Sequence, residues 1–300
     1  MNALLNGDGN VGKFDQLALE RAILSLCRVG IRPPPLSVER TKAWIKQFDS
    51  ECEKTLAWLI LRHLVYRTGL QLESCLRQAL KEAAMHFLRS STAGHNADWR
   101  EALAGKVPGL SFYCGPPTVD GISKPGKSGE VVTRLVSRVY KIEKYYPHDV
   151  RILGADERYL VVDDGAYTGQ QLTMFLEGWR DDYSDGKVAL VVGLAHQQAL
   201  KALKKRFPTV PFFYGELLTE KNSLNSLSAR WIADGQWLHS GNSPLDVYLD
   251  IFQRKGPFSQ VAPQGFGSLG LSVAFEHGIP DDSLQLLWDK SPNWIPLMER

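Results

Sequence analysis

Between residues 110 and 215, short apolar runs of strand character alternate with stretches of helical spacing: "LSFYC", a helical pattern over 128–143, "YLVVD", another over 169–180, "VALVVGLA", a third over 197–207, and "VPFFYG". This alternation constrains the fold more than any other feature of the chain. Antiparallel neighbours need only a tight turn between them, whereas a helix-length crossover returns the chain to begin a parallel strand. The segment therefore reads as an α/β parallel sheet of βαβ units with helices on both faces. In such sheets ligands sit beyond the carboxyl ends of the strands, near the point where strand order reverses. Chemistry is to be looked for where apolar runs end.

The flanks have different patterns. From Phe14 to about Ser90, "LALERAILSLC", "TKAWIKQF", "ECEKTLAWLILRHLVYRT" and "LESCLRQALKEAAMHFL" carry apolar residues at spacings of three and four, so a helical module leads the chain. The prolines of "RPPPLS" interrupt it, and Ser37 is placed to cap the helix that follows. After about Leu218 the regularity fades into a tail holding Trp231, Trp237, Phe266, Phe275, Trp288 and Trp294, aromatics better suited to a core than to stacking on a base. The expected organisation is a helical module over 1–105, an α/β core over 106–218 and an aromatic-rich extension over 219–300 packed on the core.

Bulk chemistry excludes several classes. A net charge of +2 announces no polyanion partner, and "KALKKRF" (201–207) reads as the solvated face of a helix. "LAWLILRHLVY" is broken by Arg62 and His63 and falls short of the roughly 20 apolar residues a bilayer span needs. It reads as a core helix, with His63 a packed residue and no membrane partner expected. Cys27, Cys52, Cys75 and Cys114 stand singly without CxxC spacing, which fits a reducing cytoplasm.

Two stretches carry phosphate chemistry. "YLVVDDGAYTGQQL" (159–172) delivers Asp163 and Asp164 to a strand end and then turns through "GAYTG" into a helix. Paired carboxylates there can accept hydrogen bonds from the vicinal hydroxyls of a ribose, while Gly165 and Gly169 let the turn aim amide N–H groups at a phosphate. Equally, the aspartates could merely cap the next helix. "GISKPGKSGE" (121–130) satisfies GxxxxGK[ST] through Gly121, Gly126, Lys127 and Ser128. It can bind an anion through Lys127 and the amides of the helix it opens, or be a plain surface loop. As a P-loop it is weakened by "GPPTVD", which separates Gly121 from the preceding strand.

The first stretch resembles the phosphoribosyl-diphosphate (PRPP) signature of type I phosphoribosyltransferases: an apolar strand, two acids, two variable residues and a Thr-Gly turn. Over residues 40–300 the chain looks more narrowly like the phosphoribosyltransferase-like proteins with a C-terminal extension, a branch found among bacterial conflict genes, including effectors encoded beside retron reverse transcriptases. The narrower likeness rests on "WIKQFDSECEKTLAWLILRHL", "KSGEVVTRL", the Tyr-Thr-Gly-Gln turn, and the ending "GFGSLGLSVAFEHGIPDDSLQLLW" with "WIPLMER". It implies that Asp163 and Asp164 contact the ribose hydroxyls and a Mg2+ ion and act in catalysis. It implies that Ala166, Tyr167, Thr168, Gly169 and Gln170 hold the 5-phosphate, and that Lys127, Ser128 and Gly129 take the pyrophosphate.

Two departures qualify the resemblance. Tyr167 stands where purine-using relatives often place an aspartate, and a phenol with an ordinary pKa near 10 is a poor base at neutral pH. Gln171 replaces a frequent Thr or Ser. His196, after "VALVVGLA", and Glu276 with His277 in "FEHGIP" have no role that spacing assigns.

The branch implies a Mg2+-dependent PRPP- or nucleotide-using enzyme acting as a toxic effector in anti-phage defence, with a retron reverse transcriptase and its DNA or RNA as partners and the oligomeric state left open. The alternatives are a P-loop nucleotide hydrolase and a non-catalytic nucleotide-sensing module docked to such a partner.

Overall fold

A computed structural model describes residues 15–91, 97–118, 128–145, 153–178, 186–259 and 262–298. The chain divides into two compact units, Met1–Tyr66 with Lys221–Arg300, and Arg67–Glu220. The first boundary thus falls at Tyr66, not at 105. Its physical reason is the long helix that follows, whose apolar residues cover the sheet.

The first unit joins the two ends of the chain. Helices α1 (Gln16–Arg28), α2 (Val38–Ile45) and α3 (Glu51–His63) share one core with α9 (Leu224–Ala233), α10 (Pro244–Lys255) and the C-terminal segment. Ser37 caps α2 as its sequence suggests, its hydroxyl accepting from the Arg40 N–H at 3.1 Å. Leu56 through Leu61 on α3 are all buried, confirming a core helix. Edge-to-face contacts link Trp44, Phe48 and Trp294, and both indole N–H groups donate to the Leu286 carbonyl. Arg254 on α10 forms ion pairs with Asp49, Glu53 and Asp250, so the charged rim repeats the joining made by the core. The C-terminal aromatics are core residues, except for the half-exposed Phe266. Among the described residues no helix is long and apolar enough to cross a membrane.

The second unit holds a five-stranded, all-parallel sheet in the order β3-β2-β4-β5-β6. Its strands are β2 (Ser111–Gly115), β3 (Glu143–Lys144), β4 (Glu157–Ala166), β5 (Val188–His196) and β6 (Phe212–Leu218). Leu160, Val161 and Val162 are all fully buried, the continuous apolar run expected of a strand covered on both faces. Between the strands lie α6 (Ser128–Tyr140), α7 (Gln170–Gly178) and α8 (Gln197–Arg206). On α4 (Gly69–Ser90), Leu72, Leu76, Ala79, Leu80, Ala83, Ala84 and Phe87 are buried, and the helix packs on β5 and β6. It comes so close that a Cβ on Gly215 of β6 would lie 2.3 Å from the Cys75 carbonyl oxygen. A short strand β1 (Val65–Arg67) precedes α4, and the Val65 N–H donates to the Ser272 carbonyl beside β7 (Val273–Phe275).

After β2 the chain steps outward to β3, and after β4 it steps the other way to β5 and β6. The order therefore reverses between β2 and β4, beyond Gly115 and Asp163, the position at which sheets of this kind commonly bind ligands.

Candidate functional site

Asp163 lies at that position, 3% exposed, and one carboxylate oxygen accepts from the Ser128 hydroxyl at 3.1 Å and from the Asp164 N–H at 2.9 Å. Burial, and then the charge of Asp164, push its pKa well above the ordinary carboxylate value. Asp164 is equally enclosed, at 7% exposed. The strand does not stop at Val162 as its apolar run suggests. Pairing continues, with Asp163 opposite Val192 and Ala166 opposite Ala195. Side chains adjacent on a strand leave opposite faces, so the two carboxylates project to different sides of the sheet edge.

Two helices begin at this edge. The first turn of α6 is pressed against the end of β2: a Cβ on Gly129 would stand 2.9 Å from Pro116 Cβ, 3.3 Å from Pro117 Cδ and 3.5 Å from the Asp163 carboxylate. Only glycine admits that approach. The start of α7 is held to the same place by Gln171, whose amide donates to the Pro117 carbonyl at 3.3 Å. Gln171 thus ties the two strand ends together. Helix N-termini present unsatisfied N–H groups and a partial positive charge, so two of them converging on one crevice favour an anion.

The turn between β4 and α7 is tight throughout. Gly169 has φ +78°, and a Cβ there would lie 3.2 Å from Ala199 Cα. Thr168 is half-buried, and its hydroxyl accepts from the Gln170 N–H at 3.4 Å. Tyr167 is 4% exposed and folds back over Gly165, where a Cβ would meet the ring at 2.6 Å. Its carbonyl accepts from the Ala199 N–H, which fastens the turn to α8. Of the expected site residues, the structure brings Asp163, Ser128 and Gly129 into contact and sets Asp164, Ala166, Thr168, Gly169 and Gln170 on the adjoining strand end and turn. Tyr167 packs beneath the turn, while Lys127, Gly126 and Gly121 lie outside the described residues.

His196 serves the next helix. Its Nδ1 accepts from the Gln198 N–H at 3.3 Å, capping α8, and its Nε2 stands 4.0 Å from Glu220. Burial lowers its pKa and favours the neutral ring that a cap requires. His196→Ala is expected to cost about 1 kcal/mol of stability in thermal unfolding and to leave ligand binding at the crevice unchanged. Burial pushes the Cys114 thiol up to about 12, so it is no nucleophile.

Sequence reasoning missed Gln171, Pro116 and Pro117 as parts of the edge. It also missed the ion pair of the buried Glu130, in the first turn of α6, with Lys144 of β3 at 3.1 Å. The Pro-Pro step just past a strand was the available signal for the first group.

The PRTase-CE family matches residues 41–300. The chain belongs to that family. The family is phosphoribosyltransferase-like, and the α/β fold with its five-stranded parallel sheet agrees with that membership. No curated protein matches the PRTase-CE chain. Solved structures similar to it include the orotate phosphoribosyltransferase from Aeropyrum pernix, at 18% identity and a TM-score of 0.27, covering 50% of this chain and 74% of the other. Another is the AQ2163 protein from Aquifex aeolicus, at 15% identity and a TM-score of 0.29, covering 62% and 86%.

Proposed function

We propose that this PRTase-CE chain binds PRPP or a nucleotide with Mg2+ at the carboxyl edge of β4 and acts on the bond at ribose C1, as a glycosyltransferase or an N-glycosidic hydrolase. The observation that carries the reading is the buried Asp163 carboxylate set against Ser128 and Gly129 at the switch point, where two helices begin.

A Mg2+ ion suits this donor set. Among the described residues no cluster of three or more His, Cys, Asp or Glu forms a closed metal cage, and Mg2+ typically takes one or two carboxylates together with substrate phosphates. A buried acid whose ionised form is disfavoured is also one that a cation would relieve. Bound Mg2+ would supply charge compensation for a departing diphosphate or phosphate ester.

The protein's own groups divide the remaining work. Asp163 and Asp164 accept from the ribose hydroxyls and hold the ring as positive charge develops at C1. The Ala166–Gln170 turn, with the Thr168 hydroxyl, takes the 5-phosphate. Ser128 and Gly129, at the start of α6, receive the leaving group, a task the sequence also gives to Lys127, so the electron pair of the broken C1 bond goes to an anion surrounded by donors. Tyr167 is given no proton-transfer role, because its ring packs under the turn, and purine salvage is not the reaction we assign. In the cell we assign the chain to bacterial anti-phage defence as a toxic effector of the retron type, on the strength of the family branch.

PRPP with Mg2+ is expected to raise the melting temperature, with a shift that grows with ligand concentration and is absent in the Asp163→Asn, Asp164→Asn double variant. Expression of the wild type, but not of the double variant, should deplete a nucleotide or PRPP pool. If the pools are unchanged while PRPP still shifts melting, the site senses and does not react.

A further inference from the structure

The two helices that begin at the carboxyl edge share one anchor. Pro116 and Pro117 are both buried at the end of β2, and the Thr118 N–H donates to the Pro116 carbonyl at 2.9 Å, closing a three-residue turn centred on Pro117. The central residue of such a turn has φ of about −75°, close to the value a proline ring imposes, so the direction of the Pro117 carbonyl is fixed. α6 is held to this turn by close packing, because Pro116 and the Pro117 ring occupy the space a side chain on Gly129 would need. α7 is held to it by a polar contact instead. Gln171, in the first turn of α7, is exposed, and its side-chain amide donates to the Pro117 carbonyl at 3.3 Å. Among the described residues this is the one hydrogen bond that side chain makes.

Each helix start is otherwise shaped by its own neighbours. The turn before α7 is set by Gly169 at φ +78° and by the bond from the Ala199 N–H to the Tyr167 carbonyl. The start of α6 is set by the Gly129 packing and by the bond from the Ser128 hydroxyl to Asp163. Gln171 therefore builds neither start; what it fixes is the spacing between them.

We infer that Gln171 is a positioning residue that holds the two phosphate subsites in register, so that one ligand can bridge them without first drawing the helices together. The two subsites are those of the proposed function, a 5-phosphate at the β4–α7 turn and a leaving diphosphate at the start of α6, and the role of Gln171 stands on that reading. A ligand that joins two subsites gains from their being set beforehand, because its second contact then costs no further ordering. A ligand that fills one subsite gains nothing from the tie. Removing the tie therefore acts on the bridging ligand and spares the fragments.

Calorimetric titration of the full chain in Mg2+ with PRPP, with ribose 5-phosphate and with inorganic pyrophosphate tests this, in wild type, Gln171→Met and Gln171→Ala. Methionine keeps an unbranched side chain and removes the donor. Both variants should weaken PRPP about fivefold, the size of one neutral hydrogen bond, with unchanged affinity for each fragment and an unchanged ligand-free melting temperature. Unchanged PRPP affinity in Gln171→Met, or a loss shared equally by the fragments, would overturn the positioning role while leaving a PRPP site in place. A wild-type chain that binds none of the three ligands at millimolar concentration would instead remove the reading on which that role stands, and the role with it.

Discussion

Asp163→Asn is expected to make the ligand-free protein more stable near neutral pH while abolishing its response to PRPP with Mg2+. The asparagine oxygen can still accept from the Ser128 hydroxyl and the Asp164 N–H, so the local hydrogen bonds persist. What disappears is the burden of a buried acid. Because the folded-state pKa of Asp163 is raised, the folded protein holds that proton more tightly than the unfolded chain does. The stability this contributes is fully present below the ordinary carboxylate pKa of about 4 and is lost as pH rises through the folded value. The variant's advantage should therefore be clear at neutral pH and shrink toward about pH 4. Thermal unfolding across that range, with and without PRPP and Mg2+, measures both effects. A variant less stable than wild type at every pH would mean that the carboxylate is a structural ion, not a site kept at a cost for function.

Gly215→Ala should produce the largest loss of stability among conservative changes. The added methyl would meet the Cys75 carbonyl oxygen at 2.3 Å and its carbonyl carbon and Cα at 2.5 Å. Those are backbone atoms in the middle of α4, so relief requires the helix to lift from β6 and to disturb the packing of Leu72, Leu76 and Ala79. Overpacking of this kind costs about 3 kcal/mol, which corresponds to a melting temperature about 6–12 °C lower. A change under about 0.5 kcal/mol would show that α4 does not lie on the sheet at this distance.

Much of the α/β unit was legible because its strands are buried on both faces and leave uninterrupted apolar runs. β4 and β5 read directly from "YLVVD" and "VALVVGLA". β3 did not, since Glu143 and Lys144 are two polar residues whose strand character exists only through pairing with Tyr113 and Cys114. The continuation of β4 through the acids was hidden for a related reason: Asp163 and Asp164 look like a strand end by polarity, but Asp163, Gly165 and Ala166 still pair with β5. Membership of the first unit was the least legible feature. Trp44 meets Trp294, and Arg40 meets Leu297, across nearly the whole length of the chain, and no local periodicity records such partners. The role of Tyr167 also needed coordinates, because the space its ring fills exists only where Gly165 lacks a side chain.

The most direct test of the central claim is a calorimetric titration of PRPP into the wild-type chain in Mg2+, repeated with pyrophosphate present and repeated on Asp164→Asn. Saturable binding that pyrophosphate competes away and that Asp164→Asn abolishes is the predicted result. No binding at millimolar PRPP, or binding that survives the substitution unchanged, would contradict a PRPP site at the carboxyl edge of β4.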